Sequence, residues 1–315
     1  MTSPTPATGR GDAVLLPYGP PYLIGDPAAA RRGLTELRRA LARAGVVAEA
    51  AVARPVERAG AIAAGALERG HRLLVAVGSD RVAHGLLRAL VGPTGPRWPD
   101  AVLGLAGLGR QDLSATFGLP DPPEKLARHL LGPNLFLADV GRARWRGPDG
   151  TERVGLFANT AELGYPAEVS ARAPVAAAAG RVGRLAAALG GLAATRSTPA
   201  RLEVDHTAVD LRLAGLVVAN GQFTMGRMKV APRALPDDGR LSVIAFQGEP
   251  MGIYARSKDL SYGLHVPHPS IREYQSRRVA VDAAQPLALV LDGWRAAGGP
   301  PVSFDVLERV LRIKV

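Results

Sequence analysis

The sequence predicts two domains: an α/β domain with a parallel sheet, followed by a mainly antiparallel β-sandwich domain. At 315 residues the chain is longer than one compact core usually holds. Up to residue 133, short apolar runs alternate with helical periods, whereas from residue 134 short alternating runs are separated by Gly, Pro and Asp turns. We therefore place the break at Gly132-Pro133 and predict domains over residues 13–133 and 134–290.

In the first domain, short apolar runs predict buried strands and stretches with a helical period predict the helices between them. Leu34, Leu37 and Leu41, for example, share one helical face opposite a set of arginines. Residues 1–12 are small and polar and predict a loose tail. The predicted strands cover residues 13–17, 46–52, 73–77 and 101–106, and the predicted helices cover residues 28–44, 61–68 and 123–131.

Strands that alternate with helices imply a parallel sheet, and ligands bind such sheets beyond the carboxyl ends of the strands. The buried run 73–77 ends abruptly at Gly78, so this turn is the first candidate for function. In the second domain, a helical insertion over residues 175–192 interrupts the strands. Those strands are predicted over residues 135–138, 154–159, 200–204, 211–220 and 241–246.

Composition excludes several classes of function. The sequence has no cysteine, which rules out disulfides, thiolate nucleophiles and sulfur-ligated zinc and favours a cytoplasmic protein. The net charge of +11 comes mostly from arginines that are scattered and not interleaved with aromatics, so we expect a solvated surface and no nucleic-acid partner. Since no apolar run is long enough to span a bilayer, any membrane contact is expected to be peripheral.

Three motifs in the second half carry a resemblance to a known family. They are the Asn220-Gly221 turn, the Lys229-Val230-Ala231-Pro232 stretch and the Asp237-Asp238-Gly239-Arg240-Leu241 stretch. Their order and spacing resemble those of the diacylglycerol kinase and sphingosine kinase-like lipid kinases. The resemblance covers about residues 15–315.

The resemblance implies that the first domain is of the nucleotide-binding type, that the terminal segment 291–315 returns to join it, and that ATP and a lipid meet in the cleft between the domains. The implied activity is ATP-dependent phosphorylation of a hydroxyl on a lipid or hydrophobic metabolite, with Mg²⁺. A homodimer is a further expectation. Such chemistry needs phosphates held by backbone amides, a metal and a base near the attacking hydroxyl.

The family's phosphate-binding loop, Gly-Gly-Asp-Gly-Thr, reads Gly78-Ser79-Asp80-Arg81-Val82 in this sequence. By resemblance Gly78, Ser79, Asp80 and Arg81 are nucleotide-binding residues. An arginine in place of glycine either strains the loop or supplies a bidentate phosphate ligand.

The family's second glycine-rich loop aligns with residues 108–112 after a one-residue deletion, which leaves Gly109 and Asp112 as nucleotide-binding candidates. The family's Asn-Pro after the first strand aligns with Leu16-Pro17. Both changes make the predicted pocket less polar.

The family's base motif, Asp-Gly-Glu, reads Asp292-Gly293-Trp294. Asp292 is the predicted catalytic base. Trp294 replaces a carboxylate, and its indole either stacks on a ligand in the cleft or fills space at the domain boundary. Asp238 binds a structural Mg²⁺ by resemblance, and without a metal it caps its own turn.

Two functions remain open at this point. A working kinase explains the retained aspartates, and Arg81→Ala should then weaken ATP binding. A non-kinase whose cleft binds or transforms a small hydrophobic molecule without ATP explains the altered loops, and Trp294→Ala should then impair binding of that molecule. In either case we predict that the turns at 78–80 and Gly109 converge with Asp292.

Overall fold

The computed structural model describes residues 16–29, 32–109, 111–176 and 180–315, without the side chains of residues 174–176 and 181. The predicted tail over residues 1–12 and most of the predicted first strand lie outside this part of the chain. The fold class predicted from the sequence is confirmed: an α/β domain is followed by a mainly antiparallel β domain.

A parallel sheet forms the centre of the first domain, with strand order β2-β1-β3-β6. β3 and β6 are buried along their whole length because helices cover both faces. The first six strands are β1 (Tyr22–Gly25), β2 (Glu49–Val52), β3 (Leu73–Val77), β4 (Val91–Gly92), β5 (Gly95–Pro96) and β6 (Val102–Ala106), of which β4 and β5 form a separate two-stranded sheet.

The first described strand is β1, so the prediction of an initial strand over residues 13–17 is wrong for Leu16 and Pro17, which lie outside any strand. The Gly- and Pro-rich residues 18–21 lie directly before β1. The strand pattern in the sequence was weak because β1 has only four residues, of which Gly25 is the last, and Asp26 follows directly.

Helices pack on both faces of this sheet. Leu37 and Leu41 of α1 pack with Leu130 of α5 on one face, and Leu67 of α2 packs with Leu86 of α3 on the other. The helices are α1 (Gly33–Arg43), α2 (Ala59–Glu68), α3 (Asp80–Leu90), α4 (Asp112–Thr116) and α5 (Pro123–Leu131).

The second domain is built from antiparallel pairs whose inner faces enclose a core centred on Phe157 and Phe304. In β10 the burial alternates residue by residue, as expected when one sheet face is covered. Its strands are β7 (Leu135–Arg146), β8 (Glu152–Phe157), β9 (Thr160–Gly164), β10 (Thr198–Val204), β11 (Thr207–Ala219), β12 (Leu241–Gln247), β13 (Ile271–Ser276), β14 (Arg278–Ala283), β15 (Leu289–Leu291), β16 (Trp294–Arg295) and β17 (Gly299–Lys314).

The terminal strand β17 links the two parts. It pairs antiparallel with β7 and β14, and near its end Ile313 pairs in parallel with Leu103 of β6. Through this pairing the strands form one hydrogen-bonded network of 15 strands. The core of the parallel portion extends onto β7, β8 and β17, and a second core lies within the antiparallel portion. The chain end therefore lies in the sheet of the first domain.

Two helices replace the single helical insertion predicted over residues 175–192, so that prediction is corrected. They are α6 (Tyr165–Ala176) and α7 (Gly180–Ala194), and they pack near two short helices, α8 (Pro250–Ala255) and α9 (Ser257–Tyr262). The sequence hid the start of α6 because Pro166 lies in its first turn, where proline is tolerated. Among the described helices, none has the length and apolar character needed to cross a membrane.

Candidate functional site

A cavity of about 490 Å³ lies between the two domains, where the carboxyl ends of β3 and β6 face the helices of the second domain. One end is polar and is lined by loops of the first domain. The other end is lined by α6, α7, α8 and α9. Its walls therefore combine the two environments that a molecule with a polar head and an apolar body requires.

The structure brings most of the sequence-predicted site residues together. Those that line the cavity are Ser79, Asp80, Arg81, Gly109, Asp112 and Asp292. Gly78 lies one residue before this lining, at the end of β3. Trp294 and Asp238 do not line the cavity.

In the turn at Gly78, the Ser79 amide is already bound by a carboxylate of the protein. Gly78 has a φ of +112°, and a Cβ there would lie 2.8 Å from Asp26 Oδ2, so only glycine fits. Asp26 Oδ2 accepts a hydrogen bond from the Ser79 amide at 3.0 Å, and Oδ1 accepts one from Ala29 at 2.7 Å. A phosphate that approached Ser79 would meet this carboxylate first.

Asp26-Pro27 directly follows β1, the position at which the family has its Asn-Pro. The alignment of that motif with Leu16-Pro17 is therefore wrong. The cause is the misplaced first strand, since an Asp-Pro pair after an apolar run was present in the sequence. The substitution places a carboxyl group beside the loop where the resemblance implied a neutral amide.

In the second glycine-rich loop, the Gly109 amide is likewise bound by a carboxylate of the protein. The Gly109 amide donates to Asp121 Oδ1 at 2.7 Å, and Arg227 Nη1 donates to Asp121 Oδ2 at 2.9 Å. Asp121 thus binds both the amide and the arginine that could have held an anion.

Asp80 and Asp112 each accept backbone amides of another segment across the cavity. The Asp80 carboxylate accepts the amides of Asp112 and Leu113 at 2.8 and 2.9 Å, and so caps the start of α4. The Asp112 carboxylate in turn accepts the amides of Gly226 and Arg227. These two aspartates therefore connect β3, α4 and the 225–227 loop of the second domain.

Burial raises the pKa of Asp80 well above its usual value, and the neighbouring charge of Asp112 adds to the effect. Burial likewise raises the pKa of Asp112, against the hydrogen bonds from Gly226 and Arg227. Both shifts show that negative charge is costly in this part of the cavity, so a further anion would be unfavourable there.

Residues in the left-handed region of the Ramachandran plot cluster around the cavity. Met225, Gly226 and Arg227 all have positive φ, with values of 53°, 82° and 71° in that order. For the two non-glycine residues, Met225 and Arg227, this conformation costs of order 1 kcal/mol or more each. The Asp112 carboxylate offsets that strain by binding the Gly226 and Arg227 amides.

Asp292, the predicted base, holds a turn of the second domain. Its Oδ2 accepts the Ala158 amide at 2.8 Å, and its Oδ1 accepts the amides of Asn159 and Thr160, each at 2.9 Å. His84 Nδ1 lies 3.5 Å from Oδ2, and Asp292 is only 4% exposed. The carboxylate therefore has a structural role, whatever its role in chemistry.

Trp294 packs against Arg81 beside the cavity. The Arg81 guanidinium carbon lies 4.0 Å from the centre of the indole ring, and Trp294 Nε1 donates to the Arg81 carbonyl at 3.0 Å. Arg81 Nη2 also donates to Glu57 at 3.0 Å. The two replacements that depart most from the family motifs thus contact each other.

Arg81 and Trp294 should therefore be energetically coupled. In a double-mutant cycle with Arg81→Ala and Trp294→Ala, we expect a coupling free energy of about 0.5–2 kcal/mol, because each substitution alone removes the same cation–π contact. Urea denaturation of the four proteins measures it. Arg201→Ala paired with Trp294→Ala is the control, and strictly additive losses for Arg81 and Trp294 would contradict the assignment.

Glu162 is a buried carboxyl group that sequence reasoning missed. It lies on β9, is 1% exposed, and accepts hydrogen bonds at Oε1 from the hydroxyls of Thr160 and Thr224. Burial raises its pKa to about 7, against the lowering effects of hydrogen bonds from Ser170 and then from Thr224.

A signal for Glu162 was present in the sequence. Glu162 stands between Ala161 and Leu163 and interrupts an otherwise apolar strand. A single charged residue in a buried strand indicates either a hydrogen-bond or ion-pair partner within the protein or a functional role. Asp26 and Asp121 gave no comparable signal, because their roles depend on contacts between distant loops.

The Asn220-Gly221 turn, which carried much of the resemblance, joins the two halves of the site. Asn220 Nδ2 donates to the carbonyls of Asp139 and Ala158, each at 2.9 Å. A Cβ on Gly221 would lie 2.1 Å from Asn159 Oδ1, so a side chain cannot be accommodated. The motif is thus required by close packing behind the cavity.

Asp238 lies away from the cavity in a turn, where its Oδ1 accepts the Arg240 amide at 2.9 Å. In residues 16–29, 32–109, 111–176 and 180–315 no group of three His, Asp or Glu side chains is placed to hold a metal. A magnesium ion there would have one carboxylate, already hydrogen bonded, together with backbone carbonyls. These residues do not fit a carboxylate-rich magnesium site, and the metal at Asp238 stays a prediction from resemblance.

The apolar end of the cavity lies between α6 and α7 on one side and α8 and α9 on the other. Apolar side chains from each helix line it: Val169, Ala173, Ala187, Ala188, Ile253 and Leu260. The same helices add the polar groups of Tyr165, Ser170, Arg184 and Tyr254 to the lining.

Comparison with known proteins agrees with this architecture. A family profile described as the YegS C-terminal NAD kinase beta sandwich-like domain matches residues 159–315. The match spans most of the second domain together with the terminal strand β17. No similar protein was found among curated proteins.

The whole two-domain arrangement is shared with solved structures. Two crystal structures that carry the name diacylglycerol kinase, both from Bacillus anthracis strain Sterne, match with TM-scores of 0.73 and 0.70 at 17% and 16% identity. Each match covers 95% of this chain and 98% of the other. A yeast NADH kinase complexed with NADH matches with a TM-score of 0.51 at 10% identity, over 95% of this chain and 83% of the other.

At these identities the solved structures establish the fold. Together with the YegS C-terminal match, they confirm the resemblance to diacylglycerol kinase-like lipid kinases that the motifs predicted. The YegS-type domain supplies the Asp292 turn, Glu162 and the helical end of the cavity. The α/β domain supplies the two loops whose amides are bound by carboxylates.

Proposed function

We propose that this chain binds a small hydrophobic molecule in the interdomain cavity and does not use it as a substrate for ATP-dependent phosphorylation. The observation that carries the proposal is the state of the two glycine-rich loops. The Ser79 amide is bound by Asp26 and the Gly109 amide by Asp121. Phosphoryl transfer depends on such amides being available to phosphate oxygens.

The charges around the cavity give independent support. Asp80, Asp112 and Asp292 line it, and Glu162 lies behind its wall. Of the three arginines that line the cavity, Arg81 is paired with Glu57 and Arg227 with Asp121, and Arg184 of α7 is the third. Two of the three cations are thus engaged by carboxylates of the protein, and we assign no step to ATP or to Mg²⁺.

The apolar end of the cavity suits the hydrocarbon part of a ligand. On the outer face of α7, Val182, Leu185 and Leu189 are 75%, 48% and 49% exposed. They are spaced three and four residues apart on one helical face. We propose that this face contacts a membrane surface peripherally, so that a ligand can pass between the bilayer and the cavity.

Calorimetric titration of the purified protein tests the proposal. We expect no saturable binding of Mg·ATP up to about millimolar concentration, and micromolar to millimolar binding of dodecanol. Ala188→Phe fills the apolar end and should weaken dodecanol binding at least about tenfold. Ala186→Phe, on the exposed side of the same helix, is the matched control and should leave binding unchanged.

Phosphorylation of a lipid hydroxyl is the second candidate function, favoured by the convergence of Ser79, Asp80 and Asp292 on one cavity. Saturable Mg·ATP binding that is lost in Arg81→Ala would favour it and overturn our proposal. Dodecanol binding that is indifferent to Ala188→Phe would show instead that the ligand site lies elsewhere.

A further inference from the structure

The inner wall of the cavity contains a group of hydroxyls organised by Glu162. Thr160, Thr224 and Ser170 all line the cavity, and each is less than a tenth exposed. Thr160 Oγ1 donates to Glu162 Oε1 at 3.2 Å, and Thr224 Oγ1 donates to the same oxygen. The two threonines therefore have fixed hydroxyl orientations.

A hydroxyl has one proton and two acceptor lone pairs. Because Glu162 takes the protons of Thr160 and Thr224, the lone pairs of these hydroxyls are what remains for a ligand. The wall can thus accept hydrogen bonds from a ligand but has little capacity to donate them. A ligand head that donates is satisfied there, whereas a head that only accepts is left unpaired.

The negative charges around the wall also disfavour a ligand whose head is an anion. The charge of Asp112 is close enough to raise the pKa of Glu162 further, and Asp80 and Asp292 line the same cavity. The Ser170 hydroxyl also lies close enough to the Glu162 carboxyl group to lower its pKa through a hydrogen bond, so it belongs to the same group of hydroxyls.

We propose that Glu162, acting through the hydroxyls of Thr160 and Thr224, selects hydrophobic ligands whose head carries a hydroxyl or an ammonium group over ligands whose head is a carboxylate or a phosphate. This inference rests on the proposed function and specifies the class of ligand. Glu162 is a positioning residue in this scheme, since the threonine hydroxyls make the contact.

Three probes with the same hydrocarbon chain test the selection: dodecanol, dodecylammonium and dodecanoate. At about pH 8, and below the concentration at which each probe forms micelles, we expect dodecylammonium and dodecanol to bind at least about tenfold more tightly than dodecanoate. Displacement of Nile red fluorescence from the cavity measures all three on one scale.

Glu162→Gln is the decisive variant. Its amide can donate to the threonine hydroxyls, so the preference for dodecylammonium over dodecanoate should fall at least about fivefold, while dodecanol still binds. Glu162→Asp should retain part of the preference, and Glu249→Gln, at an exposed site, should retain all of it. A purely structural Glu162 would change the affinity for all three probes equally.

The outcomes separate this inference from the proposed function. If none of the three probes binds, or if Ala188→Phe does not weaken any of them, the proposed cavity function fails. If dodecanol binds and Ala188→Phe weakens it, but Glu162→Gln leaves the ammonium-to-carboxylate preference unchanged, the cavity function stands and the role of Glu162 is overturned.

Discussion

Replacing Asp292 by alanine is expected to cost at least about 3 kcal/mol of unfolding free energy. The carboxylate accepts the amides of Ala158, Asn159 and Thr160, and each buried amide left without a partner costs about 1–3 kcal/mol. Asp292 also has a φ of 45°, which aspartate tolerates better than alanine. Equilibrium denaturation in urea measures the loss.

Two controls refine this prediction. Asp292→Asn keeps one acceptor oxygen and should lose about half as much stability. Asp238→Ala removes a cap that accepts a single amide in a partly exposed turn, and should cost under about 1 kcal/mol. If Asp292→Ala were no more damaging than Asp238→Ala, the three bonds would not stabilise the turn, and Asp292 would be free to act as the base that the resemblance implies.

Replacing Glu162 by glutamine should remove a pH-dependent loss of stability. The pKa of Glu162 is raised from 4.5 to about 7 in the folded protein. Between these values the folded state keeps a proton that the unfolded state releases, so stability falls as the pH rises from about 4.5 and levels off above about 7. At neutral to alkaline pH the difference amounts to up to about 3 kcal/mol.

The measurement is the unfolding free energy of both proteins across this pH range. The Glu162→Gln variant should be about as stable as the parent near pH 4.5 and more stable above about pH 7. Asp80, whose pKa is also raised, keeps its contribution in both proteins, whereas the charge of Asp112 acts on Glu162, so that interaction is part of the measured difference. Glu249→Gln is the exposed control, and parallel curves for parent and Glu162→Gln would refute the assignment.

These stability predictions also bear on the proposed function. A protein that keeps two carboxyl groups with raised pKa values in a cavity and a third behind its wall is less stable than one with apolar groups at the same places. Asp80 and Asp112 have a structural reason to be there, since they cap α4 and the 225–227 loop. Glu162 caps no backbone amide among the described residues, so its cost is explained by ligand selection.

Much of the fold could be predicted from the sequence because it depends on local patterns. The helix predicted over residues 123–131 has those bounds in the structure, and the strand 73–77 ends at Gly78 as expected. The three second-domain motifs led to the correct family resemblance because their glycines and asparagine are required by close packing, as at Gly221. The first strand was misplaced because four residues give too short a pattern.

The candidate site depended far more on tertiary structure. The sequence by itself determined the fold class, the turn at Gly78 and the set of aspartates near it, because strand ends and glycine turns are encoded within a few residues. It could not determine that Asp26 and Asp121 bind the loop amides, that Arg81 stacks on Trp294, or that Glu162 organises two threonines. Each of these contacts joins residues that are distant in sequence or set by side-chain direction, and its strength depends on burial, which only the packing of the two domains decides.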